Sequence, residues 1–298
     1  MNADLLDPEA ISRGESLGFM ARKIVEGYRV GDHRSPFHGF AIEFAQHREY
    51  TIGDDLRHLD WKVLGRSERY YIRQYEQDTN FVTHLVVDGS LSMNYGSGKV
   101  TKLHYAKILA ACLAQIIQLQ RDAVALALVD ETIREYLPRT DNPQRVQHLM
   151  ERLAAFKATG GTRLGAALQQ VAGEARRRGI IVIISDLLDD EEGLAQALER
   201  FTFGGNEVIV FHTLDTFELT FPFDGTWEFR NLEGPDRLKI APADFRKAYL
   251  QNLAAFKTRV RRICEKFQAH YLLVDTGKSL TETLSGYLAF RKKTARKA

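Results

Sequence analysis

The sequence contains few of the residues that mark specialised classes of protein. Its 298 residues include two cysteines, two tryptophans, four methionines and seven prolines. The cysteines, Cys112 and Cys264, fall far apart in helical patterns, which predicts buried free thiols rather than a disulfide. The formal net charge is only +2, so no overall field directs the chain to nucleic acid or to a membrane surface.

Long hydrophobic runs are also absent. No uninterrupted apolar stretch reaches the length that spans a bilayer, and the first residues lack a basic region followed by an apolar core. We therefore expect a cytoplasmic protein with no membrane span. Hydrophobic residues make up 44% of the chain and charged residues 27%, which is ordinary for a globular protein long enough to bury a sizeable core.

Short apolar runs alternate with helical patterns over most of the chain. The runs cover residues 81–87, 123–129, 180–184, 207–211 and 271–274. They are continuous rather than alternating, which is typical of strands covered on both faces. The pattern predicts an α/β fold built on a Rossmann-like, doubly wound and mostly parallel sheet.

Four segments are expected along the chain. Residues 1–34 form an N-terminal helical segment, residues 35–80 a block packed on the α/β domain, residues 81–280 the domain itself, and residues 281–298 a basic tail. Alternating aromatic residues between positions 216 and 240, around Asp224-Gly225, predict a β-hairpin inserted in the domain. We expect this hairpin to cover the core, and an interaction surface is the less favoured alternative.

Oxygen-bearing side chains follow two of the predicted strands and precede one helix. Asp88, Ser90 and Ser92 follow the first apolar run at alternate positions, and Asp186 follows the third. Thr162 stands just before a helical pattern. Because the carboxyl ends of neighbouring parallel strands converge on one crevice, we expect these five residues to lie together.

This set of oxygens suits a hard divalent cation better than it suits nucleophilic chemistry. We predict that Ser90, Ser92 and Thr162 coordinate Mg²⁺ directly, with Mn²⁺ or Ca²⁺ as alternatives. Asp88 and Asp186 would hold the remaining waters of the ion. The simpler alternative is a helix-capping threonine and two turn aspartates. We favour the metal site because three matched segments occur in order.

These five positions resemble the metal-ion-dependent adhesion site of von Willebrand factor A-type domains, which carry the same residue types there. In that family, a carboxylate from a partner protein fills the coordination position that the domain leaves free. The resemblance therefore implies a protein partner that supplies an acidic side chain to the metal.

A second resemblance lies ahead of the first predicted strand. The residues that carry it are Gly39, Glu43, Phe44, Arg48, Tyr50, Gly53, Asp54, Asp55, Arg57, Asp60 and Trp61. With the Asp88 loop and the helix after it, this block resembles the bacterial family catalogued as domain of unknown function 58. The resemblance implies a non-enzymatic adaptor that works with a MoxR-type AAA+ ATPase, or with its client, in chaperone-like remodelling or maturation of a partner complex.

The charged residues between Arg48 and Trp61 support two interpretations. They could form a second acidic site around Asp54, Asp55 and Asp60. We favour charge-assisted bonds that clasp this segment to the α/β domain, since no metal-ligand spacing is visible there.

An enzyme is the main alternative. A Mg²⁺-dependent phosphoryl-transfer enzyme or phosphatase would use Asp88 as its nucleophile. Such enzymes carry a second Asp where this chain has Ser90, and a positioned Lys or Arg that the sequence does not identify. The segment Gly96-Ser97-Gly98-Lys99 lacks the flanking residues of a phosphate-binding loop. The basic residues 291–297 are expected to form a solvated tail rather than a nucleic-acid contact.

Overall fold

A computed structural model describes most of the chain after residue 81 and parts of the chain before it. The described ranges are 42–51, 70–77, 82–98, 100–120, 122–161, 163–175, 178–188, 191–232 and 236–285, with isolated positions between 17 and 25 and between 60 and 65. The chain divides into two compact units: Pro36–Asn80 is one, and Met1–Ser35 with Phe81–Ala298 is the other.

Strands and helices follow one another along the chain, and those from residue 82 onward belong to the larger unit. The strands are β1 (Ile42–Glu49), β2 (Tyr71–Gln77), β3 (Val82–Asp88), β4 (Ala123–Val129), β5 (Ile133–Thr140), β6 (Gly179–Ser185), β7 (Glu207–Leu214), β8 (Trp227–Arg230), β9 (Arg237–Ile240) and β10 (His270–Asp275). The helices are α1 (Lys102–Leu119), α2 (Pro143–Ala155), α3 (Leu164–Glu174), α4 (Glu191–Phe203), α5 (Thr216–Thr220) and α6 (Pro242–Lys266), with a 3-10 turn at Leu91–Asn94. In the predicted N-terminal helical segment, the described positions Leu17, Ala21, Ile24 and Val25 are helical and buried.

A six-stranded sheet forms the centre of the larger unit, in the order β10-β7-β6-β3-β4-β5. Its neighbouring strands are parallel, except that β5 runs antiparallel to β4. The chain moves outward from β3 to β4 and β5, then returns to the other side of β3 as β6. This arrangement confirms the predicted α/β, doubly wound and mostly parallel sheet. The carboxyl ends of β3 and β6 lie side by side where the strand order reverses, which is where open sheets bind ligands.

Helices cover both faces of the sheet, which explains the continuous apolar runs of its strands. On one face α1 packs against β3 and β4. On the other, α3, α4 and α6 form a core with inward residues of β6 and β7, such as Ile183 and Val210. Cys112 in α1 and Cys264 in α6 are buried free thiols, as predicted. Within the described ranges, no helix has both the length and the apolar character that crossing a membrane requires.

The predicted insertion is a hairpin only in its second half. Residues Thr216–Thr220 form α5 instead of a strand, because Asp215 and Glu218 complete a capping box at its start. β8 and β9 then pair antiparallel, with Trp227 opposite Ile240 and Arg230 opposite Arg237. The turn between the strands therefore lies after Arg230, and the prediction of a turn at Asp224-Gly225 was wrong.

Contrary to our expectation, the hairpin does not cover the core. Most residues of β8 and the described side chains of β9 are exposed. The aromatic residues that do become buried, Phe221 and Phe223, precede the hairpin and pack against each other with ring centroids 5.0 Å apart.

The smaller unit contains the antiparallel pair of β1 and β2, with an irregularity between Phe44 and Gln46. Asp60 is buried there, and its Oδ1 accepts a hydrogen bond from Val63 N–H at 3.3 Å. Gly39, Trp61 and the stretch from Gly53 to Arg57 lie outside the described residues, so the predicted clasp and the second acidic site stay predictions. The same holds for the basic tail after residue 285.

Candidate metal centre at the end of strands β3 and β6

Asp88 is the last residue of β3, and the neighbouring strand β6 fixes its carboxylate. The side chain is almost completely buried. Its Oδ1 accepts a hydrogen bond from Ser90 N–H at 2.9 Å, and its Oδ2 accepts one from the Ser185 hydroxyl at 2.6 Å. Ser185 ends β6, so this bond joins the two strands at the point where the strand order reverses. Asp88 is held as a fixed acceptor rather than as a mobile surface group.

The loop that follows Asp88 is tied to the segment that precedes α3. Gly89 N–H donates to Val129 O at 2.7 Å, Thr159 N–H to Gly89 O at 2.9 Å, and Leu91 N–H to Gly160 O at 3.2 Å. The first bond connects the loop to the end of β4, and the other two connect it to the residues that lead to Thr162. Thr162, the predicted third direct ligand, lies outside the described residues.

Glycine suits the position between Asp88 and Ser90, because a larger residue would require the ring of Phe156 to shift. A Cβ atom on Gly89 would lie 2.3 Å from the ring of Phe156. The ring follows α2, and the backbone carbonyls of Ala154 and Phe156 accept hydrogen bonds from Lys107 Nζ. The ring therefore packs directly on the loop backbone.

The Ser90 and Ser92 hydroxyls face each other, with an Oγ–Oγ distance of 3.0 Å. Ser90 is buried and Ser92 is half-buried at the start of the 3-10 turn. Neighbouring ligands of an octahedral Mg²⁺ with bonds of about 2.1 Å are about 3.0 Å apart. The spacing of this hydroxyl pair therefore fits two adjacent positions of such a shell.

Asp186 follows β6, and its carboxylate is fully buried beside a lysine that the sequence analysis missed. Its Oδ2 accepts a hydrogen bond from Lys102 Nζ at 2.7 Å, and its Oδ1 accepts one from Leu188 N–H at 3.2 Å. Lys102 Nζ also lies 2.7 Å from Glu218 Oε1 in α5. One ammonium is thus shared by two carboxylates from different elements.

Lys102 carries its charge inside the protein. Its side chain has 0% exposure. Burial alone would lower the pKa of the ammonium, but the carboxylates of Asp186 and Glu218 outweigh this, so that pKa is raised. Lys102 therefore remains protonated, because the carboxylates of Asp186 and Glu218 are held next to its ammonium.

The pKa of Asp88 is raised to about 7 by burial and by the nearby Asp186 carboxylate, although hydrogen bonds from Ser185 and Ser90 oppose the shift. Burial also raises the pKa of Glu218, against the attraction of Lys102. Lys102 pairs with Asp186 and Glu218, and no ion pair with Asp88 is found among the described residues. A divalent cation beside Asp88 would compensate the negative charge of the Asp88 carboxylate. This charge is a second feature of the site, besides the hydroxyl spacing, that fits a divalent cation.

Two signals in the sequence could have revealed Lys102 and Glu218. A lysine at the first position of a helix is unfavourable next to the positive end of the helix dipole, so Lys102 after the N-cap Thr101 indicates a specific partner. The Asp215-x-x-Glu218 spacing is that of a capping box, in which Glu218 Oε2 accepts from Asp215 N–H at 2.7 Å.

Asp215 fixes the base of α5 to two further segments. Its Oδ2 accepts hydrogen bonds from Ser97 N–H at 3.0 Å and from the Thr276 hydroxyl at 3.2 Å. α5 therefore joins the loop after β3 to the loop after β10, with Glu218 held against Lys102.

Among the described residues, no three His, Cys, Asp or Glu side chains form a metal-binding group. A cation at this edge would therefore depend on the serine hydroxyls, with the carboxylates behind them. The structure brings Asp88, Ser90 and Ser92 onto one loop and places Asp186 at the end of the adjacent strand. A direct shell of neutral hydroxyls would leave such a cation strongly electrophilic.

The chain is similar over almost its whole length to proteins that are described as uncharacterized. Uncharacterized proteins of Mycobacterium tuberculosis and Mycobacterium bovis are each 26% identical over 301 residues, covering 99% of this chain and 94% of the relative.

Two solved structures are similar in part. BatB from Bacteroides thetaiotaomicron matches with a TM-score of 0.49 and 16% identity, over 72% of this chain and 100% of that one. The SpRpn10 VWA domain matches with a TM-score of 0.42 and 12% identity, over 69% and 94%. Because both scores lie below 0.5, the fold assignment depends on the strand order described above.

The family described as protein of unknown function DUF58 matches residues 46–259, which includes the β3 loop, Lys102, Asp186 and Glu218. The match spans most of the chain and agrees with the resemblance carried by the block ahead of β3. The chain therefore belongs to the DUF58 family.

Proposed function

We propose that this protein is a non-enzymatic, metal-dependent interaction protein, an adaptor that binds a protein partner through a divalent cation on the Asp88 loop. The observation that carries the proposal is the pair of Ser90 and Ser92 hydroxyls, 3.0 Å apart, in front of two buried carboxylates. Mg²⁺ is the expected ion, with Mn²⁺ or Ca²⁺ as alternatives.

Each residue would have a definite part in such a site. Ser90 and Ser92, with Thr162 as the predicted third ligand, would contact the ion directly, and Asp88 and Asp186 would hold its waters. When bound, the ion would supply a positive centre with one position open to a carboxylate of the partner. Lys102 already compensates Asp186, so the site would not neutralise the ion by itself.

The partner is expected to be a MoxR-type AAA+ ATPase or its client. This expectation comes from the resemblance to the family, and a cytoplasmic location belongs to the same proposal. The chemistry of the site supports one feature of this partner: it would contribute an acidic side chain to the open position of the ion.

An enzyme that uses Asp88 as a nucleophile is disfavoured by the surroundings of that residue. Both carboxylate oxygens accept hydrogen bonds, and the side chain is almost completely buried. Lys102 would be the positioned cation that the sequence did not identify, but its ammonium is buried between Asp186 and Glu218 instead of facing a space for phosphate. These contacts favour binding over phosphoryl transfer.

Mg²⁺ binding can be measured by titration calorimetry on the full chain. We expect saturable binding of one ion per chain and a loss of at least tenfold in affinity for Ser90→Ala and Ser92→Ala, because each removes one direct ligand. Ser97→Ala is the matched control, since the hydrogen bond that Ser97 forms with the described residues uses its backbone N–H. Equal Mg²⁺ affinity in all three variants would reject the site.

Partner dependence is tested with a purified MoxR-type ATPase from the same organism. We expect the two proteins to associate in Mg²⁺ and to separate in EDTA, and Asp88→Ala to abolish association while Ser97→Ala does not. Association that persists unchanged in EDTA and in Asp88→Ala would overturn the metal-dependent mechanism. Phosphatase or ATPase turnover of the isolated chain that disappears in Asp88→Asn would support the enzyme instead.

A further inference from the structure

A buried lysine connects a carboxylate of the candidate metal centre to helix α5. Lys102 Nζ lies 2.7 Å from Asp186 Oδ2 and 2.7 Å from Glu218 Oε1, and the side chains of Lys102 and Asp186 both have 0% exposure. Water does not screen charges in such a position, so this ammonium acts on neighbouring charges more strongly than a surface lysine would. A cation bound at the end of β6 would therefore experience its positive charge.

The ammonium is fixed from both ends of the lysine. Lys102 N–H donates to Tyr95 O at 2.8 Å, and the residue is the first of α1. At the other end, Glu218 accepts a hydrogen bond from Asp215 N–H at 2.7 Å, which holds its second carboxylate oxygen against Lys102. Moving the ammonium away from Asp186 would break these contacts, so its charge is a fixed part of the site.

Stability alone does not explain a lysine at this position. A cation at the first residue of a helix is repelled by the positive end of the helix dipole. Burial of an ion pair also costs desolvation energy, and replacing a whole buried ion cluster by apolar residues of the same size is often neutral or stabilising. The charge of Lys102 therefore has a cost for the fold, and its effect falls on the adjacent metal centre.

Lys102 leaves the candidate metal centre with little free negative charge. It pairs with Asp186, whereas the described residues include no ion pair with Asp88. The proposed direct ligands Ser90 and Ser92 are neutral. A divalent cation would thus meet one carboxylate that has no cationic partner, and the affinity of oxygen sites for such ions decreases as the number of charged ligands decreases.

We propose that Lys102 sets the metal affinity of this centre: by holding the charge of Asp186, it keeps the binding of a divalent cation to the chain alone weak. The inference rests on the proposed function in taking the Asp88 loop as the metal site. It adds a reason for the partner, since the carboxylate of a partner would supply the negative charge that Lys102 withholds. Lys102 acts on the ion through Asp186 and is not itself a ligand.

The inference is tested by a pair of changes that conserves the net charge. Lys102→Met combined with Glu218→Gln removes one positive and one negative charge, so the total charge is unchanged while Asp186 loses its cation. We expect titration calorimetry to show Mg²⁺ binding about tenfold tighter, or more, than in the unmodified chain. Glutamine keeps an oxygen acceptor for Asp215 N–H, so the capping box is preserved.

Glu218→Gln alone should have the opposite effect. It leaves the ammonium of Lys102 to Asp186 and makes the cluster more positive by one charge. We expect Mg²⁺ binding about threefold weaker, or more, than in the unmodified chain. If the cluster served folding alone, neither variant would bind Mg²⁺ more tightly, so the opposite directions distinguish tuning by charge from destabilisation.

Arg237→Met combined with Glu228→Gln is the matched control. It removes an ion pair of 3.4 Å from the β8–β9 hairpin, outside the sheet that carries the site, and its Mg²⁺ affinity should equal that of the unmodified chain. Circular dichroism and thermal unfolding in EDTA verify that each variant is folded. Lys102→Gln with Glu218→Gln, which keeps an amide donor beside Asp186, replaces the methionine variant if that protein is unfolded.

Failure of this inference is separable from failure of the metal site. Unchanged or weaker Mg²⁺ binding in the double variant, while Ser90→Ala still weakens binding in the unmodified chain, would overturn the role of Lys102 and leave the metal site standing. The absence of Mg²⁺ binding in both the unmodified chain and the double variant would overturn both. Binding that appears only in the double variant would support the role of Lys102 in its strongest form.

Discussion

The two strands that meet at the reversal of the sheet balance their charges in different ways. After β6, the Asp186 carboxylate is paired with an internal cation, Lys102, which is itself fully buried. After β3, the half-open loop presents two neutral hydroxyls from Ser90 and Ser92, with Asp88 behind them. The first arrangement is complete within the chain, and the second has no counter-charge among the residues that the structure describes. One edge of the sheet thus combines a permanent ion cluster with a hydroxyl-bearing loop at which we propose an exchangeable cation.

The largest expected effect on stability is that of Lys102→Met, which removes the internal cation of the ion cluster. Removing the ammonium leaves Asp186 and Glu218 buried without a partner, so we expect a loss of about 3–5 kcal/mol in the free energy of unfolding. Urea denaturation measures it. Lys239→Met, at an exposed lysine of β9, should change stability by less than about 0.5 kcal/mol. If Lys102→Met does not fold, Lys102→Met combined with Glu218→Gln should recover part of the loss. A Lys102→Met variant as stable as the unmodified chain would show that the cluster is not structural.

His84 on β3 should make the stability of the sheet depend on pH in the acid range, independently of the candidate metal site. Burial lowers the pKa of its imidazole to about 4. The unfolded chain therefore takes up a proton below about pH 6.5 that the folded protein resists, and stability falls as the pH drops towards 4. The contribution is about 3 kcal/mol. His84→Gln should flatten this part of the stability–pH curve, whereas the exposed His148→Gln should not. Identical curves for both would contradict the assignment.

Asp88 should show the opposite dependence, because its pKa is raised to about 7. The protonated acid stabilises the fold fully below its ordinary pKa, and this contribution is lost as the pH rises through about 7. In EDTA, Asp88→Asn should gain stability relative to the unmodified chain by about 1 kcal/mol or more between about pH 5 and pH 8. Saturating Mg²⁺ should stabilise the unmodified chain at the higher pH. A difference between the two proteins that does not vary with pH would contradict this account.

The last comparison is between two serines near the site: the Ser185 hydroxyl bonds to Asp88, and the Ser92 hydroxyl pairs with that of Ser90. Ser185→Ala removes a buried hydroxyl that donates to Asp88 Oδ2, and should cost about 1–3 kcal/mol. Ser92→Ala removes a half-buried hydroxyl and should cost less than about 1 kcal/mol in EDTA, while still weakening Mg²⁺ binding. Thermal unfolding with and without Mg²⁺ compares them. Equal destabilisation by both changes would mean that the loop hydroxyls are structural.

The sheet was predictable from the sequence because its signal is simple. Each parallel strand is covered on two faces, so it appears as an unbroken apolar run such as 180–184. Strand ends then indicate where oxygens converge, which is how Asp88 and Asp186 could be placed near each other before the structure was known.

The ion cluster was not predictable in the same way. Lys102 and Asp186 are 84 positions apart, and Lys102 and Glu218 are 116 apart, so no local pattern links them. The prediction of the hairpin bounds was wrong for a different reason. Alternating aromatic residues indicated a strand at residues 216–220, but a capping box stabilises a helix there. Long-range charge pairing and helix capping both act through side-chain contacts that periodicity does not record.

The buried cysteines have a consequence for redox chemistry. Burial raises the pKa of both Cys112 and Cys264 to about 12, so neither holds a reactive thiolate near neutral pH. Oxidants and alkylating reagents should therefore leave the native thiols untouched. A cysteine introduced on the hairpin or on the β3 loop would then be the group that such reagents modify, and dyes or spin labels could report on either surface without altering the protein further.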